Sequence, residues 1–475
     1  MAKFTKAFWV ANSVELLERL SYYALFISLT FYLSNVWGFS DAQAGIIAGL
    51  FSALIYFLPT FVGAYADKIG FRSSLMIAFS FLTIGYFGLG ILPTLLESAG
   101  LVRYGAGNGE SIFSDFFRFV GIGRFGETTV FTGLETSSYK WSLAPALLLI
   151  VTGGAFIKSV ITGTVARETT ADNRAKAFSI FYMMVNIGSF TGKTVVDPLR
   201  RGIGDQGLVY LSYFSAVMTL VALIVVFFLY KSSKTDGEGK SFAQVWEALK
   251  RVCTNGRLVA LTIIVAGFWT VQQQMYATMP KYVTRMVGES ANPGWIANVN
   301  PLVVALCVYF ITFLMKRRSA FTSIIVGMFI IPVSALIMAT GNLMGQDLIL
   351  GMHPVTLMLI IGIAFQALAE CFISPRYLEY FSLQAPKGEE GLYLGFSHLH
   401  STISSILGFF ISGFLLEVFC PNPLLYPEKF EAARDHAHYI WYVFFGIGLI
   451  SAIALIIYGR IINRQDKQVR VNQSE

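Results

Sequence analysis

Glu15, Glu18 and Arg19 recur at i, i+3 and i+4 inside an otherwise apolar run, and Tyr22 and Tyr23 follow directly. On a helix this spacing sets two carboxylates, a guanidinium and a phenol on one face. Carboxylates that share one cation can take up and release a proton, and each transfer changes which partner the cation holds. A structural ion pair accounts for Glu15 with Arg19 and leaves the second carboxylate in need of another partner. Lys158, alone in a later apolar run just beyond Gly153 and Gly154, is the partner the sequence offers. A lysine withdrawn from water keeps its proton only where a carboxylate holds it.

Other polar groups stand in apolar surroundings. Asn186, Lys193 and Asp197 fall at i, i+7 and i+11, one stripe of a helix. Lys193 and Asp197, toward the outer end, read as a surface i,i+4 pair, whereas Asn186 lies deeper. In the second half, Gln272, Gln273 and Gln274 follow Trp269, and Asn300 precedes Pro301. Gln366, Glu370 and Ser374 are spaced by four, which places a carboxylate on a polar helix face. His398 and Thr402 lie one turn apart with His400 close by, and such a histidine reads as a hydrogen-bonded packing residue. Cys253, Cys307, Cys371 and Cys420 show no metal-ligand spacing. No metal, nucleophile–base or phosphate-loop constellation occurs, so the expectation is no metal, no cofactor and no enzymatic centre.

The elements that must carry these residues follow from composition. Of 475 residues, 55% are hydrophobic and 13% charged, with 42 Phe, 22 Tyr and 43 Gly. A soluble domain carries about a quarter charged residues, so this chain lacks the charge to cover a water-facing surface. The formal net charge of +7 is read as basic cytoplasmic loops rather than a nucleic-acid surface. Spanning a bilayer takes about 20 apolar residues. Such runs cover 7–36, 42–66, 73–97, 141–166, 175–198 and 207–230, then 258–286, 294–315, 320–342, 354–375, 392–419 and 438–460. An all-α membrane protein with 12 transmembrane helices is therefore expected. Its domains are a six-helix bundle over 1–230, a cytoplasmic linker over 231–257 and a second six-helix bundle over 258–475.

Basic residues set the orientation. Lys68 and Arg72, Arg167, Arg174 and Lys176, and Lys316, Arg317 and Arg318 all follow even-numbered spans, and Arg460, Arg464, Lys467 and Arg470 close the chain. Both termini are thus expected in the cytoplasm. Within the linker, Phe242, Trp246 and Leu249 recur at helical spacing beside Lys250 and Arg251. Two readings stand, an amphipathic helix on the inner leaflet or a solvated connector. The Gly-rich stretch 99–140, with Phe116, Phe117 and Phe119, is either an outer cap or a loosely folded insertion.

Several segments carry a family resemblance. Gly63-Ala-Tyr-Ala-Asp67-Lys68-Ile-Gly70-Phe-Arg72 resembles the loop signature of the major facilitator superfamily, which implies that superfamily's fold. Glu15-Leu-Leu-Glu18-Arg19-Leu-Ser-Tyr22-Tyr23 resembles the ExxERFxYY signature of the proton-coupled oligopeptide transporters within it. Phe156-Ile-Lys158, Phe181-Tyr182-Met-Met-Val-Asn186-Ile-Gly188-Ser189, Asn300-Pro301 and Ala369-Glu370-Cys-Phe-Ile-Ser374-Pro375 are similar to that family's fourth, fifth, eighth and tenth helices.

The resemblance implies a proton-coupled symporter of small peptides or peptide-like zwitterions, working by alternating access in the cell membrane. By that resemblance Glu15, Glu18, Arg19 and Lys158 couple proton movement to opening, and Tyr22, Tyr23, Asn186, Gln273, Asn300, Glu370 and Ser374 line the substrate site. Glu370 is the counterpart of a residue that meets a peptide's amino end. The partners implied are a di- or tripeptide-like substrate, protons and the lipid bilayer, with no nucleic acid and a monomeric chain. Three positions depart from the pattern. Gln273 replaces a carboxylate four residues after the tryptophan, Phe26 replaces a basic residue, and Ser397-His398 stands where an aromatic is expected. These departures keep an alternative open, a transporter of the same fold moving a non-peptide solute inward or outward.

Overall fold

The computed structural model describes residues 4–101, 137–169, 174–203, 206–231, 241–288, 291–315, 317–383 and 396–472. Regular structure among them is helical, apart from one isolated bridge between Ile349 and Met352. Most of the 99–140 stretch, Phe116, Phe117 and Phe119 included, lies outside the described residues, as do Lys316 and the first residues of the eleventh expected span. Each of the twelve expected runs falls on helix. Among the described residues, ten helices are long and apolar enough to cross a bilayer. The first and fifth expected spans, Lys6–Phe26 and Arg174–Ile203, are helical but carry the charges described below.

Local chemistry explains many of the helix ends. Thr5 caps Lys6–Phe26 by accepting from Phe8 N at 3.2 Å, and Ser40 and Gln43 form a reciprocal capping box at the start of Asp41–Phe57. Asn255 accepts from the N–H groups of Arg257 and Leu258 and so opens Gly256–Gln272. Pro59 restarts the chain after Leu58, giving the second span a break at Asp41–Phe57 and Pro59–Ile69. The first span ends beyond Phe26 in a short helix, Leu29–Phe31, and a π turn, Tyr32–Val36.

The chain forms two compact units, Met1–Phe242 with Gly288–Asn298, and Ala243–Val287 with Val299–Glu475. In the first, Lys6–Phe26 packs on Arg174–Ile203 and Gln206–Leu229, and Phe71–Ser98 packs on Ala144–Arg167. In the second, Ala320–Thr340 packs between Pro354–Leu383 and Tyr439–Asn472, while Gly256–Gln272 packs on Leu399–Phe419. Large apolar side chains such as Ile84, Phe228, Leu306, Phe310 and Ile450 are exposed on these helices. A soluble protein rarely exposes so much continuous apolar surface, and lipid tails are the solvent that suits it. This is a multi-pass membrane protein.

The linker holds a helix, Phe242–Thr254. Val245, Ala248, Leu249 and Val252 are buried against the protein, whereas Phe242 and Trp246 are exposed. The expected stripe of Phe242, Trp246 and Leu249 is thus split, with Leu249 turned into the core.

Candidate functional site

Lys6–Phe26 carries a buried charge cluster in the first unit. Arg19 Nε lies 2.5 Å from Glu18 Oε2 and 3.2 Å from Glu15 Oε1, so one guanidinium serves both carboxylates. All three side chains are shielded from solvent, and Glu15 Oε2 has no hydrogen-bond partner among the described residues. Two carboxylates on one cation leave a net negative charge in an apolar bundle, an arrangement that costs several kcal/mol unless a proton or another cation offsets it.

Lys158 on Ala144–Arg167 is within electrostatic reach of Glu15, Glu18 and Arg19. It does not form the ion pair expected from the sequence. Its ammonium instead stands over the ring of Tyr56, 3.7 Å from the centroid. Arg19 has taken both carboxylates because it lies one residue from Glu18 and one turn from Glu15, and the fourth-span lysine settles on the nearest electron-rich face.

The aromatic residues continue the same helix face. The Arg19 guanidinium lies 5.2 Å from the ring centre of Tyr22, which meets Tyr23 edge-on and stacks on Phe26 at 5.0 Å. The position where the family resemblance expects a base is therefore filled by an apolar ring packed on Tyr22. This helix comes close to its neighbour because Arg174–Ile203 presents Gly192. A Cβ there would lie 2.4 Å from the carbonyl oxygen of Leu20, so any larger residue pushes the two backbones apart. Asn186, one and a half turns earlier, is half-buried and donates to the Tyr182 carbonyl of its own helix at 2.8 Å.

Lys193 and Asp197 correct the surface-pair expectation. They are 1% and 3% exposed, with Lys193 over the ring of Tyr23 and Asp197 accepting backbone N–H groups from Gly294 and Trp295. The Gly288–Asn298 segment covers this stretch, and nothing in the local i,i+4 pattern foretells such a cover.

In the second unit, one oxygen of Glu370 gathers two amides. Gln272 Nε2 donates to Oε2 at 3.0 Å and Asn300 Nδ2 donates to the same atom at 3.1 Å. One turn along Pro354–Leu383, the buried hydroxyl of Ser374 has no hydrogen-bond partner among the described residues. Glu370, Asn300 and Ser374 thus come together as a polar patch that includes an unpartnered hydroxyl. Gln273 does not join them. Its Nε2 reaches Ser405 on Leu399–Phe419 at 3.4 Å, and the neighbour Gln272 takes the place beside Glu370. Three consecutive glutamines step about 100° each around a helix, and only packing selects the one that faces Glu370. His400 is a packing residue, hydrogen-bonded to the Ser397 carbonyl and to Ser401 and set against Trp269 and Tyr377. Among the described residues no three His, Cys, Asp or Glu gather as a metal site.

Residues 13–348 match the family model described as Major Facilitator Superfamily. The chain belongs to the Major Facilitator Superfamily. Members of this superfamily are transporters rather than enzymes. Among curated proteins, the chain is 23% identical to dipeptide and tripeptide permease B of Photorhabdus asymbiotica subsp. asymbiotica, over 97% of each chain. It is 22% identical to dipeptide and tripeptide permease A of Proteus mirabilis, over 96% of this chain and 94% of that one. It is likewise 22% identical to an uncharacterized MFS-type transporter, YttB of Bacillus subtilis, over 86% and 91%. Two solved structures share the fold. A peptide transporter POT in complex with sulfate superposes with TM-score 0.68 and 18% identity, over 97% of this chain and 94% of that chain. Another, from work on substrate recognition in proton dependent oligopeptide transporters, gives TM-score 0.67 and 19% identity, over 96% and 98%.

Tyr56 is the neighbour of the charge cluster that the sequence pattern did not single out, whereas Gln272, Lys193 and Asp197 stood out as polar groups without the contacts they make. Tyr56 sits between Ile55 and Phe57 and looks like any lipid-facing aromatic.

Proposed function

We propose that this protein is a proton-coupled symporter of small peptides, working by alternating access. The observation that carries this reading is Arg19 bound to two buried carboxylates, one of which keeps an unpartnered oxygen. Such a cluster relieves its excess charge by binding a proton, and the bound proton loosens the hold on Arg19. A proton shifts a conformational equilibrium only where the two states differ in affinity for it, and a cluster whose partners rearrange supplies that difference. The membrane potential contributes about 2.3 kcal/mol per charge per 100 mV. Each pH unit adds about 1.4 kcal/mol. One proton then supports accumulation on the order of 10²-fold or more.

Glu370 is assigned to the substrate amine, with Gln272 and Asn300 holding the carboxylate and Ser374 offering a free hydroxyl beside it. Tyr22, Tyr23 and Asn186 are assigned to the substrate on the first-unit side. Lys158, over Tyr56, is assigned to a peptide carboxylate or to Glu15 and Glu18 in turn. Peptide specificity is supported by the similarity to dipeptide and tripeptide permeases. Gln273 bonded to Ser405 and Phe26 stacked on Tyr22 favour a second reading, a non-peptide solute carried by the same fold.

The domains proposed are bundles over 1–230 and 258–475 joined by the 231–257 linker, with both termini cytoplasmic. The basic residues Lys68, Arg72, Lys250, Arg251, Arg317, Arg318, Arg460 and Arg464 support that orientation. The monomer is proposed as the working unit, since each chain carries both polar clusters. One structural neighbour is tetrameric PepTSo2.

Purified protein in liposomes, given dialanine-type peptides under an inward proton gradient, tests this function. Wild type should accumulate peptide, and Glu18→Gln and Lys158→Ala should abolish gradient-driven accumulation. Indifference of wild type to a broad peptide mixture selects the non-peptide reading. Undiminished accumulation in both variants overturns the coupling roles.

A further inference from the structure

Residues 420–438 join Leu399–Phe419 to Tyr439–Asn472, and a cavity of about 400 Å³ opens at this end of the second unit. None of the residues assigned above to protons or substrate lines it. Its walls combine two kinds of surface. Val418, Phe419 and Tyr439 are apolar or aromatic, and Phe419 meets Tyr439 edge-on at 5.8 Å. Glu417, Lys429 and His436 bring a carboxylate, an ammonium and an imidazole to the same space. The Lys429 ammonium stands 4.8 Å from the centre of the Tyr426 ring, and the His436 ring stacks on Tyr439 at 5.1 Å.

The connection that forms this cavity is firmly anchored. Arg285 donates to the Cys420 carbonyl at 2.6 Å, which fixes the end of Leu399–Phe419. Asn342 donates to the carbonyls of Arg434 and Asp435 at 3.1 and 3.3 Å. Buried Phe430 roots the short helix Pro427–Ala433, which carries Lys429.

Position and charge together select an occupant. Phe410, Phe414 and Val418 are spaced by four along Leu399–Phe419 and are 49%, 57% and 47% exposed, so they form one apolar stripe. The stripe runs into the cavity at Val418, and Glu417 adjoins its last residue. Leu424, Leu425, Tyr426 and Tyr442 are exposed around this end, a composition suited to the boundary between lipid and water. A molecule that fits both features carries an apolar tail for the stripe and a charged head for the cavity.

The head must bear both signs. Glu417 lies in the last turn of its helix, at the negative end of the helix dipole, where a positive group is favoured. Lys429 and His436 can donate to a phosphate. An ethanolamine phospholipid holds an ammonium and a phosphate a few bonds apart. A choline head has no N–H to donate to Glu417, and a glycerol head has no ammonium.

We propose that this cavity binds a phospholipid with an ethanolamine head, its ammonium on Glu417, its phosphate on Lys429 and His436, and one acyl chain along Val418, Phe414 and Phe410. The site is independent of which solute the chain carries.

Native mass spectrometry of the purified chain tests this, with equal amounts of dioleoyl phosphatidylethanolamine, phosphatidylcholine and phosphatidylglycerol offered in detergent. Wild type should retain the ethanolamine lipid over each of the others by roughly fivefold or more. Glu417→Gln should erase that preference, and Lys429→Ala combined with His436→Ala should cut retention of the ethanolamine lipid by a similar factor. Glu428→Gln, on the same short helix as Lys429 but outside the cavity, should behave as wild type. Location is read on wild type with a phosphatidylethanolamine that carries a diazirine in one acyl chain, and its label should fall within 410–439. Equal retention of the three lipids, a preference that survives Glu417→Gln, or a label confined to other helices overturns the proposal. Competition by soluble glycerophosphoethanolamine as strong as by the lipid also overturns it, since the apolar stripe would then contribute nothing. A lipid-free dimer as the main species assigns this face to a second copy of the chain and overturns it too.

Discussion

The ammonium of Lys158 stands 3.7 Å from the ring centre of Tyr56, held by the ring's negative face. Desolvated contacts of this kind are worth about 2 kcal/mol. The ring therefore parks a cation near two carboxylates without neutralising either, and leaves it ready to change partners. Tyr56→Leu should lower peptide uptake at a fixed proton gradient by roughly tenfold or more, and Tyr56→Phe, which keeps the ring, should stay near wild type. Initial rates of labelled-peptide uptake into proteoliposomes decide between these outcomes.

Glu18 and Glu15 differ in what their neutral forms leave behind. Glu18→Gln leaves Arg19 on Glu15 alone and removes the excess negative charge for good, so a proton has nothing left to relieve. Gradient-driven accumulation, on the order of 10²-fold in wild type, should collapse to equilibration, while exchange of labelled for unlabelled peptide continues. Loss of exchange as well as accumulation would show that Glu18 is needed for movement itself rather than for coupling.

Glu370 holds two amide donors on one oxygen, and in the proposed function its carboxylate takes the substrate amine. Hydrogen bonds to charged groups contribute about 1.5–3 kcal/mol, so Glu370→Gln should raise KM for dialanine by about tenfold or more. For an N-acetylated peptide the same change should matter little. Gln272→Ala should raise KM more than Gln273→Ala does, because Gln272 touches Glu370 and Gln273 touches Ser405. Equal effects of the two glutamine variants would contradict that division.

Gly192 allows the Arg174–Ile203 helix to lie against Leu20 of the charged first helix. Overpacking a tight contact costs about 1–3 kcal/mol, so Gly192→Ala should lower the midpoint of thermal unfolding in detergent. Gly256→Ala, at a position with open space around it, is the control and should leave the midpoint nearly unchanged.

Outside the spans, His353 caps the Pro354–Leu383 helix, its Nδ1 accepting from Val355 N at 3.2 Å. Burial, with the Arg434 charge adding to it, holds His353 below the ordinary histidine range. A group whose folded value is depressed favours its neutral form in the fold. Its contribution is complete above the unfolded value of about 6.5 and fades as pH falls through the lower folded value. Wild type should therefore lose thermal stability on acidification in that window, and His353→Asn, which can cap without titrating, should lose less. Parallel melting curves of the two proteins across pH check this.

Much of the molecule is legible in the residue order. Lipid is a uniform solvent that demands about 20 apolar residues per crossing, so the runs and their breaks appear directly in composition. The Glu15–Glu18–Arg19 cluster is equally readable, because three residues within four positions of one helix must share a face whatever packs around them. Their membership of one superfamily fold follows from the same local signals.

Contacts between helices are different. Lys158 could have met Glu18, and only the position of Tyr56 on a neighbouring helix turned it elsewhere. Of three successive glutamines, the packing of Gly256–Gln272 chose Gln272 for Glu370. Lys193 and Asp197 have the spacing of a surface pair and are buried because a segment about 100 positions later lies on them. Sequence alone determined what each helix offers along its own axis, since spacing and solvent act locally. The tertiary structure decided which offered groups meet, because that choice depends on the rotation and closeness of helices far apart in the chain.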